Sequence, residues 1–75
     1  MADTRELDTR GLNCPLPILK TKKALADLPS GDLLRVISTD PGSMRDFKAF
    51  ARQTGHELVE QTSDEREFVH VLRRR

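Results

Sequence analysis

Tryptophan and tyrosine are absent from these 75 residues, and there is a single cysteine. One cysteine excludes an internal disulfide. With only His56 and His70 beside it, and no ligand spacing among the three, no metal site is expected. Three phenylalanines and 36% hydrophobic residues leave a core that must be small and aliphatic. No apolar run approaches the roughly 20 residues that span a bilayer. The opening Met-Ala-Asp-Thr-Arg-Glu lacks the apolar stretch of a signal peptide, so no membrane association is expected. A reducing cytoplasm is the expected setting for a lone functional thiol. Charge of one sign is lacking too: 13 Lys and Arg stand against 12 Asp and Glu. With no aromatics interleaved among the basic residues, direct nucleic-acid binding is not expected. There is no linker, repeat or low-complexity tract, and residues 1–75 read as one monomeric domain burying roughly 60% of its unfolded surface.

What is present centres on Arg10-Gly-Leu-Asn13-Cys14-Pro15-Leu16-Pro17-Ile-Leu-Lys20. Proline is tolerated at the first helical position and pushes the preceding residue out of the α region. This reading makes Cys14 the N-cap, with Pro15, Leu16 and Pro17 opening the helix. Two of the N–H groups that a helix start leaves unpaired are removed by the prolines. Those of Cys14 and Leu16 remain near the sulfur, and the helix dipole adds positive potential there. The expected result is a thiol pKa below the free value of about 8.5. A buried structural cysteine is the plainer alternative, and the flanking prolines and cap position argue against it.

The rest of the chain reads as β-α-β-α-β-β. A strand at Glu6–Thr9 follows a loose leader over residues 1–4, and Gly11 turns the chain out of it. Helix one runs from Pro15 to about Leu28, with Ile18, Thr21, Leu25 and Leu28 on one face. Lys20, Lys22 and Lys23 occupy the remaining circumference, as a docking surface or simply a solvated face. Asp32–Thr39 is a β-branched central strand. Asp40-Pro41 repeats the cap-then-proline pattern for helix two, whose buried face is Met44, Phe47 and Ala51, with Phe50 at its margin and Gly55 at its end. Glu57–Thr62 and Glu67–Arg73 form a hairpin about Ser63–Arg66. Of its last strand, the larger Phe68 and Leu72 are expected to face the helices. Consecutive strands joined through helices are expected to be parallel, with right-handed crossovers. The fold class is an α/β (α+β) two-layer sandwich, a mixed four-stranded sheet with two helices on one face. That places Cys14 beyond the C-terminal end of strand one, where open α/β sheets tend to hold ligands.

Three segments resemble the TusA/SirA family of sulfur carriers. They are Leu7-Asp8-x-x-Gly11-Leu12-x-Cys14-Pro15-x-Pro17, Asp40-Pro41-Gly42-Ser43 with Asp46, and Gly55-His56-Glu57-Leu58. The resemblance covers nearly the whole chain and implies the two-layer fold read above. It implies that Cys14 carries sulfane sulfur as a covalent persulfide, with no separate cofactor. Pro15, Leu16, Pro17 and Asn13 would support it. The donor would be a cysteine desulfurase or a rhodanese-like protein, and the acceptor a downstream sulfurtransferase such as a DsrE-like protein. Such carriers serve 2-thiolation of tRNA, sulfur oxidation or cofactor sulfur supply, as relay components rather than stand-alone enzymes.

The competing function is a redox-sensing or regulatory thiol. A resolving cysteine next to the reactive one is common in such sensors, and this chain has none. A nucleic-acid module using the basic termini is a weaker third reading. Arg73-Arg74-Arg75 reads as a solubilising end, Asp40 and Ser43 as capping residues, and Asp8 as a turn or cap contact near the Cys14 loop.

Overall fold

In the computed structural model, which describes residues 3–75, the chain forms β1 (Thr4–Thr9), α1 (Leu16–Ala26), β2 (Leu33–Ser38), α2 (Ser43–Thr54), β3 (Glu57–Ser63) and β4 (Phe68–Arg73). The element order is the one read from the sequence. Of the expected leader, Met1 and Ala2 lie outside the described residues. Thr4 belongs to β1, and the Asp3 carbonyl accepts from the Leu33 amide, so these two are tied to the sheet rather than loose.

The four strands form one sheet in the order β1-β2-β4-β3. β1 and β2 pair in parallel, joined by the helical crossover that parallel neighbours require. β4 pairs antiparallel with both β2 and β3. The expectation for β2 and β3 therefore holds for direction but not for pairing, because β4 inserts between them. The reason lies in composition: Phe-Val-His-Val-Leu is the most apolar stretch after β2, and an interior position buries it on both sides.

Alternation sets the faces. In β2, Leu34, Val36 and Ser38 are fully buried, while Leu33, Arg35 and Ile37 are half-buried on the other side. Register places Leu72 opposite Leu34 and Phe68 opposite Ser38, so both point toward the helices as expected. The open face carries half-buried Leu33, Ile37, Val69 and Val71 between the ion pairs Arg35–Glu6 and Arg73–Glu57. One extra residue in β3 between Leu58 and Glu60 turns Val59 outward, a β-bulge on an edge strand.

Helix and sheet meet in one cluster of Leu25, Leu28, Leu34, Val36, Phe47, Phe50 and Leu72. On α1, Thr21 and Leu25 are buried and Ile18 half-buried, close to the expected stripe, and Pro17 joins them. α2 departs from expectation. Its buried residues are Ser43, Phe47 and Phe50, so Phe50 is core rather than margin, and Met44 and Ala51 are only half-buried. Phe47 stacks flat on His70, with ring centroids 4.1 Å apart, and meets Phe50 edge-on at 6.4 Å. That aromatic seat rotates the helix by part of a turn. Gly55 ends α2 with φ +82, a left-handed position where a side chain would be strained, and its amide closes the last turn on the Ala51 carbonyl.

Candidate functional site around Cys14

The loop from β1 into α1 and the loop from β2 into α2 leave the same end of two parallel, adjacent strands. They are therefore side by side, and hydrogen bonds tie them together. The buried Thr9 hydroxyl donates to the Ile37 carbonyl at 2.7 Å, and the Gly11 amide donates to the Thr39 hydroxyl at 2.8 Å. Arg10 grips Asp8 with Nε and Nη2, each at 3.0 Å, and holds that carboxyl down to about 2. Asp8 is thus the turn contact expected for it.

Cys14 is exposed on this loop. Its amide donates to Asp40 Oδ2 at 3.1 Å, while Asp40 Oδ1 accepts from the Gly42 amide, also at 3.1 Å. Asp40 was expected to cap α2 itself. Instead Gly42 occupies the cap position, and the Asp40 carboxylate bridges the start of α2 to the cysteine loop. The distinction changes its role, because one carboxylate now positions both elements of the site.

α1 also begins later than the sequence suggests. Pro15 is its N-cap, Leu16 its first residue, and the helix ends at Ala26 rather than Leu28. The Leu16 amide donates to the Asn13 carbonyl at 2.9 Å, so a turn across residues 13–16 precedes the first helical bond, from the Leu19 amide to the Pro15 carbonyl. The two amides expected to face the sulfur, those of Cys14 and Leu16, are both engaged elsewhere.

The electrostatic expectation for the thiol is overturned with them. The Cys14 pKa is raised, first because the thiol donates a hydrogen bond to the Asp46 carboxylate, then by burial and by the charges of Asp46 and Asp40. Hydrogen bonding to the neutral form and like charge both disfavour the thiolate. The nearby carboxylates of Asp46 and Asp40 thus outweigh any pull of the helix start on the sulfur. Asp46 is the residue that capping arguments did not place here. Its position three residues into α2, following the Asp40 turn, was the available signal.

Below the site, α2 is anchored from the sheet. His70, fully buried, bonds Ser43 Oγ through Nε2 at 3.0 Å, and Gln61 donates to His70 Nδ1 at 3.1 Å and to the Met44 carbonyl at 2.9 Å. With Gln61 as donor, His70 Nδ1 accepts and Nε2–H donates to Ser43. Burial pushes the His70 pKa down to about 4. Neither His70 nor Gln61 was marked in the sequence as anything beyond a strand residue. Together they hold the first turn of the helix that carries Asp46.

The other expected site residues divide. Asn13, Pro15 and Leu16 are exposed around Cys14, whereas Pro17 is buried against the sheet. Leu16 and Leu19 are about half exposed and give the rim an apolar surface. The three lysines do not share one surface: Lys20 and Lys23 border a shallow groove with Leu7, Ala24 and Asp27, while Lys22 borders a cleft at the far end of the helices. Among the described residues, no group of three or more His, Cys, Asp or Glu side chains is placed to hold a metal ion, and no helix is long and apolar enough to cross a membrane.

Comparison with known proteins places this arrangement among sulfur carriers. The family profile described as Sulfurtransferase TusA matches residues 5–74. The sulfur carrier protein TusA of Allochromatium vinosum is 53% identical over 75 residues, covering 99% of each chain. That of Pseudomonas syringae is 43% identical over 70 residues, covering 93% of this chain and 83% of the relative. The crystal structure of a SirA-like protein from Desulfitobacterium hafniense superposes with a TM-score of 0.77 at 26% identity, over 95% of each chain.

Proposed function

The chain belongs to the TusA sulfurtransferase family, and from that premise we propose that Cys14 carries sulfane sulfur as a persulfide between protein thiols. The observation that supports this reading best is that the lone cysteine is exposed on a loop whose amide is pinned by Asp40 at the start of the second helix. In loading, Cys14 gives up its proton to water and the sulfur attacks the terminal sulfur of a donor persulfide. A new S–S bond forms as the donor's S–S bond breaks, and the donor leaves as a thiolate that takes up a proton. One sulfane sulfur moves from thiol to thiol, with no net oxidation. Delivery to an acceptor cysteine is the same step in reverse roles.

A raised thiol pKa suits this use. Oxidants act on exposed thiolate, so whatever disfavours the thiolate slows stray oxidation of a carrier cysteine. The exposed Leu16 and Leu19 rim gives a partner an apolar surface within reach of the sulfur. The donor class is a cysteine desulfurase or rhodanese-like protein, and the acceptor a sulfurtransferase of the DsrE-like kind, met by the monomer in the cytoplasm. The pathway served is tRNA 2-thiolation, sulfur oxidation or cofactor sulfur supply.

Loading is tested by mass. Incubated with a cysteine desulfurase and cysteine, the protein gains one or more sulfur atoms of about 32 Da each, removable by dithiothreitol, and Cys14→Ala gains none. Oxygen or thiol adducts formed under peroxide, with no sulfur gained from the desulfurase, would instead identify a redox thiol.

A further inference from the structure

The C-terminal ends of α1 and α2 meet the start of β3 and the residues after β4 at the end of the molecule opposite Cys14. Between them lies an open cleft of about 390 Å³, lined by Ala26 and by the polar side chains of Lys22, Gln53, Thr54, His56, Arg74 and Arg75. Four of these six side chains are cationic or titratable, and they come from helix, loop and strand end alike. Among the described residues the ion pairs use Arg10, Arg35 and Arg73; Lys22, Arg74 and Arg75 enter none. Arg73 turns to the open face of the sheet, where it pairs with Glu57, while its neighbour Arg74 lines the cleft. Arg74 Nε is buried and has no hydrogen-bond partner. Arg74 as a whole is half-buried, and a buried donor without a partner is costly and uncommon in folded proteins.

The cations are not explained as helix caps. The α1 end is closed by the Asp27 amide on the Ala24 and Leu25 carbonyls, and the α2 end by the Gly55 amide on Ala51. The dipoles of two helix C-termini amount to roughly half a charge each, less than three fixed cations. Further donors are in place. The Arg75 amide donates to His56 Nδ1 at 3.2 Å, which leaves Nε2 of the neutral ring as the N–H. Thr54 is turned inward, its hydroxyl donating to the Phe50 carbonyl at 2.7 Å, so it offers the cleft no competing donor.

We propose that this cleft is a second site, separate from the thiol, that binds a phosphate group, with Lys22, Arg74 and Arg75 supplying the charge and His56 Nε2–H a directional donor. Guanidinium donors match the geometry of phosphate oxygens, and the cleft is larger than one phosphate needs. The group is therefore free phosphate or the phosphate of a larger ligand, and the two are separable by experiment. The His56 pKa is lowered by burial and by the charges of Arg75 and Arg74, the field that a bound dianion would offset.

The test is an amide NMR titration of the intact protein with inorganic phosphate at constant ionic strength. Saturable shifts are expected at Thr54, Gly55, His56, Arg74 and Arg75, with none at Cys14 and with a rise in the His56 pKa. Arg74→Gln combined with Arg75→Gln should weaken binding at least tenfold. Lys22→Gln, at an exposed position, should weaken it severalfold and serves if the double variant does not fold. Adenosine 5′-monophosphate and a short single-stranded oligonucleotide are then titrated in turn. Tighter saturable binding of either at the same residues supports the site and names the source. Shifts no different from chloride would overturn the proposal. So would binding that survives these substitutions, or binding of an acidic peptide where phosphate does not bind.

Discussion

The amide of Cys14 and the carboxylate of Asp40 are joined by a 3.1 Å hydrogen bond across 26 residues of sequence. The same carboxylate accepts from the Gly42 amide, so it ties the cysteine loop to the start of α2. The parallel pairing of β1 with β2 makes the bond possible, since it brings both strand ends to one edge.

Replacing Asp40 with Ala removes the acceptor for two backbone amides. The expected cost is about 1–2 kcal/mol, the scale of losing an anionic acceptor at a helix start. Asp40→Asn, which keeps one acceptor oxygen, should cost less. Urea unfolding of the two variants measures both.

Asp46 sets the thiol. In Asp46→Asn the charge that opposes ionisation is gone, so the Cys14 pKa falls toward its ordinary value, and reaction with a small disulfide at neutral pH speeds up. Thiolate absorbance against pH, with Cys14→Ser subtracted, reads the shift. The parent midpoint is expected above that of a free thiol.

His70 makes stability depend on pH. Its folded pKa of about 4 lies below the unfolded 6.5, so between those values the unfolded chain binds a proton that the folded chain does not. Stability from this group is complete above pH 6.5, falls as pH drops toward 4, and is level below that. The total is about 3 kcal/mol. His56, lowered for the same first reason, acts in the same direction. Unfolding free energies measured from pH 7 to 4 should show the fall, and His70→Gln should remove most of it.

Much of this molecule is legible in the chain. Helix periodicity, the Pro-Ser-Gly stop after Leu28 and the β-branched run before Asp40 each follow from local chemistry, and they yield the element order and the helix-facing choice of Phe68 and Leu72. Local chemistry fails where a distant partner decides. The strand order depends on β4 taking the interior place, and the rotation of α2 on the stacking of Phe47 against His70. At Cys14 the local argument misjudges the electrostatics. A helix start does favour an anion, but only while its amides are free, and here Asp40 and Asn13 have already taken them. Which cleft each of the three lysines borders was not legible for a related reason, since a helix face seen alone does not show how α2 and the strand ends divide it.

The central claim is that sulfur on Cys14 can leave as well as arrive, and the direct measurement is transfer from loaded protein. Persulfidated protein, freed of desulfurase, is mixed with an excess of candidate acceptor thiol proteins and followed by intact mass. The account predicts that the added mass of about 32 Da leaves this chain as it appears on an acceptor cysteine, faster than onto a small thiol at equal concentration, because docking aligns the sulfurs. Stable retention of the sulfur against every candidate acceptor, those of the source organism included, would contradict it.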